Sequence, residues 1–162
     1  MCGIVGAVTQ RNVYKILIEG LHRLEYRGYD SAGLSIIDAS GELQTRKKIG
    51  KVAELEKAVE SNPAAGNTGI AHTRWATHGE PSDINSHPHT SFGVSIVHNG
   101  IIENYATLKK QLIENGAVFK SQTDTEVIVN LIEFYYQSCN DVEKAIEKAV
   151  NDLQGTWGLA IL

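Results

Sequence analysis

The sequence predicts a single α+β domain, because short apolar runs alternate with stretches in which apolar residues recur at helical spacing. Its 162 residues are enough for one domain with a substantial core and too few for two. The hydrophobic fraction of 42% and the charged fraction of 21% are ordinary for a globular protein. Strands and helices are mixed along the chain, and its second half is the more helical.

The first half predicts strands interrupted by two helices. Apolar residues over 13–24 recur at helical spacing, and this helix should end before Gly28. A shorter helix over 52–59 should be closed by the turn residues Asn62 and Pro63. The predicted strands are residues 4–8, 32–38, 42–49 and 68–72.

A polar segment over 75–92 precedes the more helical half, and a loop of that length inside a domain is usually functional or mobile. Thr123 and Glu126 match a capping box, in which each satisfies the backbone N–H of the other. The remaining predicted elements are strands over 93–98 and 156–162 and helices built on the apolar stripes of 108–113, 127–135 and 142–153. Because a terminal apolar strand invites aggregation, we expect the chain to be a piece of a longer polypeptide.

The charge and the termini exclude several classes of function. The 15 Lys and Arg against 19 Asp and Glu give a net charge of −4, and no basic block indicates nucleic acid or an acidic membrane. The apolar stretches are too short for a membrane span, and the N-terminus lacks the regions of a signal peptide. Cys2 and Cys139 give no disulfide framework. We therefore expect a cytoplasmic protein.

Cys2 is the first candidate for chemistry. Removal of Met1 would leave it with a free α-amine, whose ordinary pKa of about 7.7–8.0 suits it to accept the proton of its own thiol. A free cysteine beside an apolar strand is more often a small buried hydrophobe, which is also the interpretation for Cys139 at a helix end. Position alone therefore raises the hypothesis of an N-terminal nucleophile without establishing it.

Three further clusters offer groups that a substrate needs. Arg74, in the run 72–79, has a planar guanidinium that suits a carboxylate, although an isolated arginine is more often solvated. Asn99 and Gly100 can present a side-chain amide and a backbone N–H to one point, as an oxyanion hole does, or can form an ordinary turn. Asp124 begins a helix, where the dipole favours an acid, and it can also receive an ammonium group.

The spacing of the six histidines does not predict a metal site. His87 and His89 are the most ligand-like pair, but the chain has neither a helix-borne His-Glu-x-x-His nor a Cys/His finger. It has no glycine-rich nucleotide fingerprint either. A zinc protein remains the weakest alternative, and we expect no metal and no cofactor.

These clusters occur in an order that resembles the class II glutamine amidotransferases, whose glutaminase domain is an N-terminal-nucleophile hydrolase. Residues 1–6 resemble the whole class. Residues 23–33, 72–79 and 98–104 together resemble one branch, the glutamine–fructose-6-phosphate aminotransferases, and 121–126 extend the match. The resemblance implies that the whole chain, 1–162, is a four-layer α/β/β/α sandwich that is incomplete at its C-terminal end. The sugar isomerase domains of that branch are absent from it.

The resemblance also implies a role for each matching residue. Cys2 would attack the carboxamide of glutamine and carry the γ-glutamyl thioester, with Asn99 and Gly100 holding the oxyanion. The other positions would bind the substrate or lie near the nucleophile: Arg74 on the α-carboxylate, Asp124 on the α-ammonium, Thr77 and His78 behind the substrate, Trp75 on a closing loop, and Arg27 beside the N-terminus. Glutamine would yield glutamate and ammonia. The full-length enzymes of the branch, expected to be homodimers, use ammonia to convert fructose 6-phosphate to glucosamine 6-phosphate.

Two alternatives from the sequence stay open. Another class II amidotransferase, such as an amidophosphoribosyltransferase or an asparagine synthetase, shares the opening motif, although the runs 26–33 and 75–78 argue against both. The second alternative is a non-catalytic interaction or regulatory fragment, inactive because the domain is cut short.

Overall fold

The structure, a computed structural model that describes residues 1–162, contains two antiparallel sheets. Their strands are β1 (Gly3–Val8), β2 (Ser31–Ile37), β3 (Leu43–Ile49), β4 (Thr68–Arg74), β5 (His89–Ser91), β6 (Val94–Ile102) and β7 (Gly155–Ile161). The first sheet has the strand order β1–β4–β2–β3, and the second has the order β5–β6–β7. In the first sheet β4 is therefore central, with the strand that follows Cys2 on one side and β2 on the other.

Helices cover the outer side of each sheet. They are α1 (Tyr14–Leu24), α2 (Val52–Ser61), α3 (Tyr105–Glu114), α4 (Asp124–Cys139) and α5 (Val142–Asp152). Helices α1 and α2 pack on the first sheet, whereas α4 lies on the second sheet with α3 and α5 against it. Because β6 contacts β1 and β4, the two sheets face each other, and the layers run helix, sheet, sheet, helix as the resemblance implied. None of these helices combines the length and apolar character that crossing a membrane requires.

Two apolar cores lie on the outer sides of the sheets. One joins α1 and α2 to the first sheet and includes Leu17, Leu34 and Leu55. The other joins α4 and its neighbours to the second sheet and includes Ile96 and Ile128. Buried polar residues concentrate where the two sheets and the first turn of α4 meet: His72, Thr73, Arg74, His87, His89, His98, Thr123, Asp124 and Thr125. The fold therefore buries a cluster of polar side chains at this place.

The predicted elements are confirmed, with two differences in the second sheet. Strand β6 runs past Asn99 and Gly100, which the sequence predicted at a strand end, because pairing with β7 continues through Asn99 opposite Gly158 and Gly100 opposite Trp157. The predicted loop over 75–92 contains β5, which is only three residues long and therefore has no periodic signal.

The capping box at α4 is half confirmed. Thr123 Oγ1 accepts a hydrogen bond from the backbone N–H of Glu126, as predicted, at 3.3 Å. The prediction of the reciprocal bond, from Glu126 to the N–H of Thr123, was wrong. The Glu126 carboxylate instead accepts from the backbone N–H groups of Lys120 and Ser121, at 2.8 and 2.6 Å. The turn before the helix presents these two donors to the carboxylate. Cys139 ends the same helix and packs against the core, as predicted.

Gly33 in β2 tests how closely the backbone at His87 and at Arg46 approaches this strand. A Cβ atom there would lie 2.0 Å from the carbonyl oxygen of His87 and 3.0 Å from that of Arg46. Because both neighbours are backbone atoms, we expect Gly33→Ala to lower the free energy of unfolding in urea by about 2 kcal/mol or more. Gly6→Ala is the matched control, since a Cβ at Gly6 meets nothing within 4 Å. Equal effects of the two substitutions would contradict this packing.

Candidate active site

The candidate residues meet in one cavity between the start of β1, the end of β4, β6 and the first turn of α4. Its volume is about 10 Å³, roughly the least that holds one water molecule. All predicted site residues except Asn99 and Arg27 line it. The full lining is Cys2, Arg74, Trp75, Thr77, His78, His87, His98, Gly100, Thr123, Asp124 and Thr125.

Cys2 lies directly before β1, whose first residue, Gly3, is paired with Thr73 in β4. This pairing places the thiol against the loop that follows β4. The backbone N–H of Trp75 donates a hydrogen bond to Sγ at 3.2 Å, and the carbonyl oxygen of Trp75 lies 3.6 Å from Sγ. The thiol is therefore held against the backbone of Trp75.

The N-terminal ammonium of Met1 is held by backbone carbonyl groups. It donates to the carbonyl oxygens of Arg27 and Gly28, at 3.0 and 2.8 Å. The side chain of Arg27 lies outside the cavity, with Nη2 3.8 Å from Sδ of Met1. Arg27 therefore lies beside the residue that precedes Cys2, as the resemblance implied. Met1 itself is 64% exposed, which leaves it accessible to an aminopeptidase.

Asn99 lies beside Cys2 from the second sheet. Its Nδ2 donates to the carbonyl oxygen of Cys2 at 3.4 Å, and its Oδ1 lies 2.8 Å from Nε2 of His72. Gly100 follows, with a φ of 126° that favours glycine, and a Cβ atom there would lie 2.1 Å from the carbonyl oxygen of Thr156. This position therefore excludes any side chain.

Arg74 is buried at the end of β4 and uses half of its guanidinium to hold its own loop. Its Nη2 donates to the carbonyl oxygens of His78 and Gly79, the second at 3.1 Å. Nη1 is buried and has no hydrogen-bond partner. Burial also lowers the pKa of Arg74 from its ordinary value. A buried cationic donor without a partner is costly, and an anion in the cavity would relieve that cost.

Asp124 is buried in the first turn of α4 and serves both the fold and the cavity. Its Oδ2 accepts the backbone N–H of Ile102 at 3.0 Å, which ties α4 to β6. Its Oδ1 lies 3.8 Å from Nδ1 of His78 on the opposite loop. One carboxylate oxygen is therefore committed to the structure, and the other faces the cavity.

Asp30 is a residue that holds the loop after β4 and that sequence reasoning missed. Its carboxylate Oδ2 accepts the backbone N–H of Ala76, and its own N–H donates to the carbonyl oxygen of Arg74 at 2.7 Å. It thereby fixes the loop that carries Trp75, whose ring is 54% exposed and packs over Gly28. The residue lay within a stretch that matched the family, but nothing in its spacing pointed to a partner 46 positions away.

Comparison with known proteins identifies the family. The model of the glutamine amidotransferase domain matches residues 72–162, more than half of the chain. The chain belongs to this family. It is 56% identical over 162 residues to the glutamine–fructose-6-phosphate aminotransferase (isomerizing) of Vibrio vulnificus strain YJ016. It is 60% identical over 163 residues to the enzyme of the same name from Pseudomonas putida.

These relatives are much longer than the chain. Each match covers 100% of this chain and 27% of the relative, so the chain spans about a quarter of the length of the curated relatives it matches. Among solved structures it matches the glutamine phosphoribosylpyrophosphate amidotransferase from B. subtilis with a TM-score of 0.86 at 26% identity, covering 100% of this chain and 35% of that chain. A second structure, described as the allosteric regulatory enzyme of purine biosynthesis, gives 0.87 at 27% identity with the same coverage. The fold is that of the N-terminal-nucleophile amidotransferase domains.

Four buried histidines beside the cavity of this amidotransferase domain form a network inside the protein. The ring centroids of His72 and His87 lie 4.3 Å apart, and those of His87 and His89 lie 5.0 Å apart. Oγ1 of Thr125 lies 2.8 Å from Nε2 of His87 and 2.9 Å from Nδ1 of His98. No set of three or more His, Cys, Asp or Glu side chains is arranged to hold a metal ion. The pair that resembled ligands in the sequence, His87 and His89, is buried with the two rings in contact.

Burial keeps these rings neutral near pH 7. It lowers the pKa of His72 to about 4 and takes the pKa values of His87 and His89 well below the ordinary value. The neighbouring rings and Arg74 lower all three pKa values further, because a second positive charge would repel the first. The exposed His22 differs, since hydrogen bonding to Glu25 raises its pKa.

The buried histidines predict a loss of stability in acid. The unfolded chain takes up protons near the ordinary histidine pKa of about 6.5, whereas the folded rings stay neutral to a much lower pH. Their contribution is therefore present above about pH 6.5 and is lost as the pH falls from there. We expect His89→Gln to reduce the loss of unfolding free energy between about pH 6.5 and 5 by about 1.5 kcal/mol, measured by urea denaturation.

His22→Gln is the matched control for this pH dependence. Because the pKa of His22 is raised in the fold, that histidine stabilises the protein more as the pH falls. Removing it should leave the acid loss as large as in the parent chain or make it larger. If both substitutions reduced the acid loss equally, the buried network would not be its source.

Proposed function

We propose that this chain hydrolyses glutamine to glutamate and ammonia, with Cys2 as the nucleophile after removal of Met1. The observation that carries the proposal is the convergence in one cavity of a thiol, a buried guanidinium with an unpartnered nitrogen and a buried carboxylate. Glutamine has one group for each of them: a carboxamide, an α-carboxylate and an α-ammonium.

Substrate binding follows from the two charges. Arg74 Nη1 would donate to the α-carboxylate, and Oδ1 of Asp124 would accept from the α-ammonium, while Thr77 and His78 line the wall between them. In the described conformation the cavity admits little more than one water molecule. Glutamine must therefore displace part of the wall. Trp75 is 54% exposed, which accords with its proposed place on a loop that closes over the substrate.

The chemistry needs only groups from the chain, glutamine and water. The α-amine of Cys2 accepts the proton of the thiol, and Sγ attacks the carboxamide carbon. The new C–S bond places a negative charge on the amide oxygen, which the side-chain N–H of Asn99 and the backbone N–H of Gly100 stabilise. The protonated amine then gives its proton to the leaving nitrogen, which departs as ammonia. Water hydrolyses the thioester to glutamate and restores the thiol.

The similarity to longer relatives supports a further step in the proposal. The identity of 54–60% across the whole chain to enzymes named glutamine–fructose-6-phosphate aminotransferase favours that branch over the phosphoribosylpyrophosphate amidotransferase from B. subtilis, at 26%. We infer that residues 1–162 form most of the glutaminase domain, and that sugar isomerase domains elsewhere in a homodimeric enzyme use the ammonia to make glucosamine 6-phosphate from fructose 6-phosphate. Two free cysteines accord with a cytoplasmic location.

The nucleophile is tested by replacing each cysteine in turn. Cys2→Ser should lower the rate of glutamate release by at least about 1,000-fold, because the step that forms the thioester is lost. A diazoketone analogue of glutamine should add once to the parent chain and not to Cys2→Ser, as measured by intact mass. Cys139→Ser is the control and should keep both activity and labelling. Labelling at Cys139 would refute the assignment, and a folded parent chain that releases no glutamate would favour the non-catalytic fragment.

The proposed binding of the α-ammonium group of glutamine by Asp124 is tested with Asp124→Asn. This substitution keeps an oxygen for the N–H of Ile102 and removes the charge. We expect the KM for glutamine to rise about 100-fold, because a buried charge pair is lost. The comparison substrate is glutaramate, which is glutamine without its α-amino group. The parent chain should prefer glutamine strongly, and Asp124→Asn should lose most of that preference.

The exposed Asp83, which pairs with Lys48 on the surface, supplies the matched control for the loss of an aspartate charge. Asp83→Asn should leave both the KM for glutamine and the preference over glutaramate unchanged. If Asp124→Asn kept the full preference for glutamine, the ammonium would be bound elsewhere.

A further inference from the structure

We infer that His72 is a positioning residue that holds the side-chain amide of Asn99 in the orientation the oxyanion hole requires. This inference rests on the proposed glutaminase function and extends it to a residue outside the cavity lining. It concerns the ring of His72 and its contact across the gap between the two sheets.

The position of His72 links the two strands that build the site. It lies in the central strand β4, paired with Ile4 of β1 on one side and Gly33 of β2 on the other. Its side chain is fully buried. From there the ring reaches the opposite sheet, where Nε2 lies 2.8 Å from Oδ1 of Asn99 in β6. Strand β4, which pairs with the strand that follows Cys2, therefore contacts the Asn99 amide that would hold the oxyanion.

The hydrogen-bonding groups on both sides of Asn99 select one orientation of its amide. The carbonyl oxygen of Cys2 can only accept, so the amide must present its NH₂ group on that side, where the distance is 3.4 Å. The amide oxygen then faces His72, and an oxygen can only accept. His72 must therefore carry its proton on Nε2. The opposite tautomer would favour a flipped amide, whose oxygen would repel an oxyanion at the site.

A neutral ring makes this selection strict. Complete burial lowers the pKa of His72 to about 4, so near pH 7 the ring carries a single N–H. The proton can then lie on Nε2 or on Nδ1, but not on both. A carboxamide side chain can imitate one nitrogen or the other. Glutamine at position 72 can place an N–H near Nε2, whereas asparagine reaches only the position of Nδ1.

The activity test compares three substitutions of His72. His72→Leu fills the space without a donor and should lower kcat for glutamine about 10- to 100-fold, part of the effect of losing an oxyanion donor, with KM changed less than about threefold. His72→Gln should recover most of kcat, and His72→Asn should not. Urea denaturation of each variant shows whether it is folded at the assay temperature. If His72→Leu does not fold, the comparison of His72→Gln with His72→Asn carries the same test.

A double-mutant cycle distinguishes positioning from general support of the fold. If His72 acts through Asn99, His72→Leu should cost no more than about twofold in a chain that already carries Asn99→Ala. Losses that multiply would overturn the inference. A second readout is the affinity of the γ-aldehyde analogue of glutamine, which forms an oxyanion adduct with Cys2. His72→Leu should weaken its binding at least about tenfold and leave the binding of glutamate, which forms no adduct, nearly unchanged.

The tautomer can be measured without any activity. In ¹⁵N NMR of the imidazole rings, His72 should show a protonated Nε2 and an unprotonated Nδ1, and a proton on Nδ1 would overturn the inference. Different experimental results would refute the proposed function and the positioning role of His72. A folded parent chain with neither glutamate release nor labelling of Cys2 refutes the proposed function. An active parent chain whose kcat is unchanged by His72→Leu refutes the positioning role alone.

Discussion

The antiparallel pairing of β1 with β4 is the constraint on which the site depends. It opens with Gly3 opposite Thr73, so Cys2 is held beside Arg74 although the two residues are 72 positions apart. The same strand β4 faces β6 across the sandwich, which places Asn99 next to Cys2. A shift of this register by one residue would turn the side chains of β1 to the other face of the sheet and separate the thiol from the amide.

The polar interior between the sheets is where the candidate site residues are buried. Apolar cores on the outer sides of both sheets supply the packing, which leaves the region between β4, β6 and the start of α4 free to bury polar groups. The hydroxyl of Thr125 contacts one nitrogen of His87 and one of His98 there. Several buried polar atoms of this region, among them Nη1 of Arg74, have no hydrogen-bond partner. An unsatisfied buried donor is unfavourable in the free protein. A carboxylate that accepts a hydrogen bond from it removes this cost and therefore binds more favourably.

Local physical chemistry explains which features were predictable. Helices and strands with clear periodicity, such as α1 and β2, appear within a few residues of their expected bounds. Features that depend on a partner elsewhere were not predictable from local pattern. The Glu126 carboxylate turned to the N–H groups of Lys120 and Ser121, and Asp30 proved to hold the loop of Trp75. Both depend on donors whose position is decided only by the path of the folded backbone.

The sequence by itself determined the fold class, the family resemblance and the residue types that a zwitterionic amide substrate needs. Cys2, Arg74, Asn99, Gly100 and Asp124 are all visible in it, because their chemistry belongs to the side chains. Only the tertiary structure decided that four of these residues line one cavity with Asn99 beside Cys2, that Arg27 lies outside it and that four of the histidines are buried. The physical reason is that burial, and the direction in which a hydrogen bond points, are set by contacts between strands far apart in the chain.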